Sequence, residues 1–185
     1  MIKRILLVSC VSVLAIVWVL YYQTSGYEIE SDEKSIDQAI ESLINQTNKE
    51  KQQIDIRTSK DIANKKVVLF SIGEKLGDSE FTEGRNGKYK IESAGHGTNW
   101  VLERVIHTNE GTYYRVAGKK DNIGRIKAFI SENVCDIQIP EQEYYIEFCE
   151  LNEEVVQAFS DGMVIYDIEG KEITRVNISE EQIIN

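Results

Sequence analysis

The spacing of apolar and polar positions divides the chain into three unlike stretches. The first, Ile5 to Tyr22, carries no charge, and Ser9 and Ser12 are its only hydroxyl-bearing interruptions before the tyrosines. Eighteen residues at about 1.5 Å each cover about 27 Å, close to the hydrocarbon thickness of a bilayer. Lipid offers backbone N–H and C=O groups no partners, so this run predicts a transmembrane helix. Lys3 and Arg4 precede it, and Trp18, Tyr21 and Tyr22 gather at its far end. Basic residues stay on the cytoplasmic side and amphipathic rings prefer the interface, so the chain beyond the helix is expected outside the cell. Two other readings compete with an uncleaved anchor. A signal peptide would need a small-x-small site, of which Thr24-Ser25-Gly26 is a poor version. A lipoprotein would use Leu7-Val8-Ser9-Cys10, but too few apolar residues precede Cys10 and many follow it.

The second stretch changes period. Ile36, Ala39, Ile40, Leu43 and Ile44 recur at spacings of three and four, an apolar stripe at helical period with polar residues filling the other face. Ser31 or Asp32 can cap its start. The spacing predicts a helix over about 33–52, packed on a sheet. The stripe is shorter than the three heptads a coiled coil would need, so core packing is favoured over a partner-binding helix.

From Ile54 onward short β-branched and aromatic runs alternate with turn residues. Eleven runs read as strands: Val67–Ile72, Glu80–Glu83, Tyr89–Ser93, Trp100–Thr108, Thr112–Gly118, Arg125–Glu132, Cys135–Ile139, Tyr144–Leu151, Val155–Phe159, Met163–Asp167 and Glu172–Val176. Asn86-Gly87 and Asp161-Gly162 are the strongest hairpin signals, because both residue types accept positive φ. No helix separates the strands, so parallel crossovers have no room and the sheet should be antiparallel. Val67–Phe70, apolar on both faces, reads as a central strand. The expected fold class is α+β: an N-terminal transmembrane helix, then one amphipathic helix packed on an antiparallel β-meander of about seven to nine strands. The expected organisation is a cytoplasmic stub and anchor over 1–23, a juxtamembrane linker over 24–32, and an extracytoplasmic domain over 33–185.

Charge narrows the partners. The chain has a net charge of −10; without Lys3 and Arg4, 19 basic residues face 31 acidic ones, a net of −12. A domain this acidic repels nucleic acid and anionic headgroups, and solubility accounts for the surplus. About 150 residues beyond the anchor suffice for a core without metal or disulfide staples.

Candidate chemistry is sparse. Cys10 lies in the apolar run, and Cys135 and Cys149 flank Pro140-Glu141-Gln142-Glu143. If those flanking strands form a hairpin, Ile139 faces Tyr144, Ile137 faces Ile146 and Cys135 faces Phe148, which turns Cys149 to the other face. The expectation is therefore two unbridged thiols, a disulfide requiring a bulge. Only two histidines are present: His96 in Gly95-His96-Gly97-Thr98, read as a loop, and His107 near the end of a strand. Neither has a ligand at zinc-site spacing, so no metal and no cofactor are expected. Gly84-x-x-Gly87 and Gly95-x-Gly97 lie in strand turns with no helix following, which leaves no phosphate loop. The many carboxylates read as a charged surface. The nine tyrosines include the doublets Tyr113-Tyr114 and Tyr144-Tyr145, whose members point to opposite faces of a strand. Tyr113, Tyr145 and His96 are the candidate interaction residues.

The sequence thus points to a membrane-anchored, non-enzymatic module that binds a protein or envelope component at the outer membrane face. Its rivals are a cell-envelope enzyme using His96 or surface carboxylates, and a secreted structural or immunity-type protein released by cleavage near Gly26.

Overall fold

A computed structural model describes residues 25–46, 51–152 and 155–177. The anchor residues Lys3, Arg4, Trp18, Tyr21 and Tyr22, together with Cys10, lie outside the described residues. Among the described residues no helix is long and apolar enough to cross a membrane.

Helix α1 covers Glu33–Asn45. Asp32 caps it, its Oδ1 accepting from the Ser35 amide at 3.0 Å and its Oδ2 from the Ser35 hydroxyl at 2.7 Å. Those bonds hold the Asp32 carboxyl below its usual range. The helix stops well short of the expected residue 52. Beyond Ile44 no apolar residue appears until Ile54, so nothing extends the buried stripe. The Asn45 side chain instead clamps Gln52, accepting from its amide at 2.8 Å and donating to its carbonyl at 3.3 Å.

Among the described residues eleven antiparallel strands follow, in three sheets rather than one. The first sheet is a true meander of β1 (Asp55–Ile62), β2 (Lys65–Ile72), β3 (Lys75–Glu83) and β4 (Tyr89–Gly97). The second contains β5 (Val101–His107), β6 (Thr112–Lys119) and β9 (Tyr144–Leu151) in the order β5-β6-β9. The third contains β7 (Ile123–Ile130), β8 (Asn133–Gln138), β10 (Gly162–Asp167) and β11 (Glu172–Val176) in the order β11-β10-β7-β8. β1 escapes a pattern reading because it is mostly polar and carries only two isoleucines, Ile56 and Ile62. It is an edge strand, where charged side chains are favoured. The expected strand Val155–Phe159 does not form. Its segment runs beside β5 and makes one backbone bond there, Val105 N–H to the Ala158 carbonyl at 2.8 Å.

The layers stack in one direction. Ile36, Ile40 and Ile44 of α1 pack on Val68, Phe70, Phe81 and Tyr89 of the first sheet. The opposite face of that sheet, Val67 and Leu69, packs on Ile106, Ala117 and Ile146 of the second. The far face of the second, including Val105, Tyr114, Val116 and Tyr145, packs on Ile126, Ala128, Ile130, Ile137, Met163 and Ile165 of the third. The second sheet is therefore covered on both sides. That accounts for the double-sided apolar pattern of β9, where Tyr144, Ile146 and Phe148 face one core and Tyr145, Cys149 and Leu151 the other.

This layering overturns the expectation of two unbridged thiols. β8 pairs with β7 and β9 with β6, so the two strands form no hairpin. The segment containing Pro140 passes between sheets, with Ile139 N–H bonded to the Gly124 carbonyl at 2.9 Å. Cys149 does point away from Ile146, as its parity requires, but that face is buried against β8. The Cα atoms of Cys135 and Cys149 lie 5.9 Å apart and their sulfurs form a disulfide that ties the second sheet to the third.

Candidate functional site

The titratable groups of the interior collect where the free edges of the sheets converge. β4 ends the first sheet and β5 ends the second, and side chains of the two edges approach each other. Arg115 on β6 is inserted between these sheets and is 1% exposed. Its Nη1 donates to Asp78 Oδ2 on β3 at 2.7 Å, and its Nε has no acceptor. Arg104, paired with Arg115 in the register of β5 and β6, donates from Nη1 to the Ser93 hydroxyl of β4 at 3.2 Å. On the other face of β5, Glu103 accepts from the Tyr114 hydroxyl and, at 3.2 Å, from the Ser160 amide. Glu103 thereby fastens the segment after Val155 to the sheet edge. Burial, and then the Glu103 carboxylate, push the Tyr114 hydroxyl well above its usual pKa.

Two cavities open along this junction. One, of about 540 Å³, lies between the end of β4, β5 and the β10–β11 pair, and is lined by His96, Trp100, Arg104, Phe159, Met163 and Val176 among others. The other, of about 510 Å³, runs on past Ser93, Arg104, His107 and Phe159. Arg104 and Phe159 line both, so the two form one groove along β5. Its rim is apolar: Trp100 is 40% exposed, Phe159 54% and Val176 41%.

Charge in the groove is almost fully paired. Asp78 is held by Arg115, and Glu80 by Lys65 Nζ at 2.7 Å. Glu92 accepts from Thr82 Oγ1 at 3.0 Å and lies 3.4 Å from Lys90 Nζ. Glu103 has its two neutral donors, Tyr114 and Ser160, and Arg104 is the cation without an acid. Among the described residues it forms no ion pair, and its one hydrogen bond goes to a neutral hydroxyl.

The residues singled out in the sequence fall unevenly. His96 lies in β4, paired with Gly77, rather than in a loop. It is exposed and lines the groove, but no hydroxyl or carboxylate is hydrogen-bonded to it among the described residues. His107 Nδ1 sits 3.3 Å from Thr112 Oγ1 at the far end of β5. Tyr113 is half-buried. Tyr145 cannot serve a surface, being 1% exposed in the core between the second and third sheets, with its hydroxyl unpartnered. Its doublet partner Tyr144 is the outer member, with the Arg57 guanidinium 5.4 Å from its ring centre. Among the described residues no three His, Cys, Asp or Glu side chains converge as a metal site would require.

Arg104, Arg115, Trp100 and Phe159 carry no motif and were not singled out in the sequence. The one available signal was Arg115 itself, a charge in a strand flanked by the apolar pair Tyr114 and Val116. Compared with known protein families, curated proteins and solved structures, the chain matches none of them.

Proposed function

We propose that the chain is a single-pass membrane protein whose acidic domain stands outside the cell and binds a protein or envelope component without catalysing a reaction. The observation that carries this reading is the groove along β5, where Trp100, Phe159 and Val176 stand exposed around acids that already have partners. Exposed aromatic and aliphatic side chains gathered at a concave surface suit recognition. Acids committed to ion pairs or hydrogen bonds, and a histidine with neither an acid nor a hydroxyl bonded to it, do not suit proton transfer. The Cys135–Cys149 disulfide supports an oxidising compartment, in keeping with export behind the Ile5–Tyr22 run. Attachment to the membrane raises local concentration there and favours a weak partner at the same surface.

Two measurements test it. A tag placed after Asn185 should be digested by protease added to intact, wall-stripped cells, and a protected tag removes the exported address. A photo-crosslinking residue at Phe159 should give a discrete adduct in cells, whereas one at Gln38, on the exposed side of α1, should not. No adduct at Phe159 removes the groove as the binding surface.

A further inference from the structure

We propose that the outer edge of β4 across Ser93–Gly97 receives an extended strand from a partner protein, and that an acidic side chain of that strand pairs with Arg104. The inference rests on the groove being a binding surface, and it adds the mode of binding and the chemistry of the partner.

Three observations converge. β4 is the last strand of its sheet. Its start is closed by Ile29, which exchanges backbone bonds of 3.0 and 2.7 Å with Tyr89. Past that bridge, the outward backbone groups of β4 have no backbone partner among the described residues. Open edges are ordinarily guarded by charged side chains, proline or a bulge, because they template further pairing. The opposite edge of the same sheet, β1, is guarded in this way by Arg57, Lys60 and Asp61. From Ser93 to Gly97 the run is Ser-Ala-Gly-His-Gly, with no proline and no acidic or lysine side chain.

Gly95 is the second observation. A Cβ placed there would meet nothing within 4 Å, and its φ lies outside the left-handed region, so neither crowding nor backbone strain calls for glycine. Gly77, diagonally across the ladder in β3, differs: a Cβ there would come within 2.4 Å of the Phe70 ring. A glycine that the fold does not require, on an open edge, leaves bare backbone for another backbone to approach.

Third is charge. The acids along the groove have their partners, while Arg104 holds out a guanidinium bonded only to Ser93. A carboxylate is the group that complements it, by a charge-assisted and bidentate contact. Trp100 and Phe159 stand on the same groove and offer apolar contacts to alternate side chains of an added strand. The partner segment is thus an extended one with an aspartate or glutamate between apolar residues.

The test pans a random octapeptide display library on the full-length protein in lipid nanodiscs. Selected peptides should carry an acid flanked by apolar residues, and should bind the Arg104→Gln variant about tenfold or more weakly, with Arg104→Lys partly restoring affinity. Bound peptide should slow amide exchange at residues 93–97, and N-methylation of alternate peptide amides should abolish binding, because only backbone pairing depends on those hydrogens. Selected peptides without an acid, equal binding by Arg104→Gln, unchanged exchange at 93–97, or full binding by the N-methylated peptides would each overturn the proposal. If Phe159 crosslinks a partner in cells while exchange at 93–97 stays unchanged, the groove still binds but not by strand addition. If neither is seen, both readings fall.

Discussion

Arg115 and Asp78 belong to different sheets and meet between them, Nη1 to Oδ2 at 2.7 Å, with their side chains 2% and 17% exposed. A buried pair of this kind costs desolvation on both sides, and removing one partner leaves a charge in a low-dielectric layer. Asp78→Ala should therefore lower stability by about 3–5 kcal/mol. The double variant Asp78→Leu, Arg115→Met should recover most of that loss, since two apolar residues of similar size leave nothing unpaired. Urea unfolding of the three proteins measures this, and a double variant as unstable as the single would show that packing, not charge, sets the cost.

The disulfide closes a loop between residues 14 apart in sequence. Reduction, or Cys149→Ser, should lower stability by about 3 kcal/mol through the freedom returned to the unfolded chain. Of the three cysteines in the chain, only Cys10 is left outside the bridge, so denatured, unreduced protein should titrate no more than one thiol. Two or three thiols per chain would refute the bridge.

Two buried tyrosines should respond oppositely to loss of the hydroxyl. Tyr114 donates to Glu103, so Tyr114→Phe leaves that carboxylate one donor short and should cost about 1–3 kcal/mol. The Tyr145 hydroxyl is buried without a partner, so Tyr145→Phe should be neutral or stabilising. Thermal denaturation of the two variants decides the matter, and equal losses would contradict the assigned bonding.

Those hydroxyls also make stability depend on alkaline pH. Burial, then Glu103 for Tyr114 and Asp121 for Tyr145, raise both pKa values above the 10.0 of an exposed tyrosine. A raised value means that the folded state holds a proton which the unfolded state gives up first. The contribution is complete below about pH 10 and is lost as pH rises further. Phenolate absorbance should accordingly show two tyrosines that ionise only on unfolding. Tyr114→Phe should flatten the alkaline decline, and an unaltered decline would assign it to other groups.

Glycines 77 and 95 sit diagonally across the β3–β4 ladder, opposite His96 and Asp78 respectively, and should behave differently. Gly77→Ala forces a methyl against the Phe70 ring and the Gly95 carbonyl and should cost about 1–3 kcal/mol. Gly95→Ala meets open space and should leave the midpoint of chemical unfolding unchanged. A large loss at Gly95 would mean that the fold itself requires that glycine.

Local chemistry was legible where each residue's neighbours are its sequence neighbours. The cap at Asp32, the stripe Ile36–Ile40–Ile44, the double-sided burial of Val67–Phe70 and the bounds of β9 and β11 follow from period and turn chemistry, because those forces act over a few residues. The face of Cys149 was legible too, since parity along a strand is a local property. Which surface covered that face was not. Alternation states that a face is buried but not by which layer, so the chain reads equally as one meander or as three stacked sheets. Only the tertiary structure brought β8 opposite β9 to close the disulfide, sank Tyr145, and left Arg104 in the groove with a neutral hydroxyl as its partner, because each depends on groups brought together from distant parts of the chain.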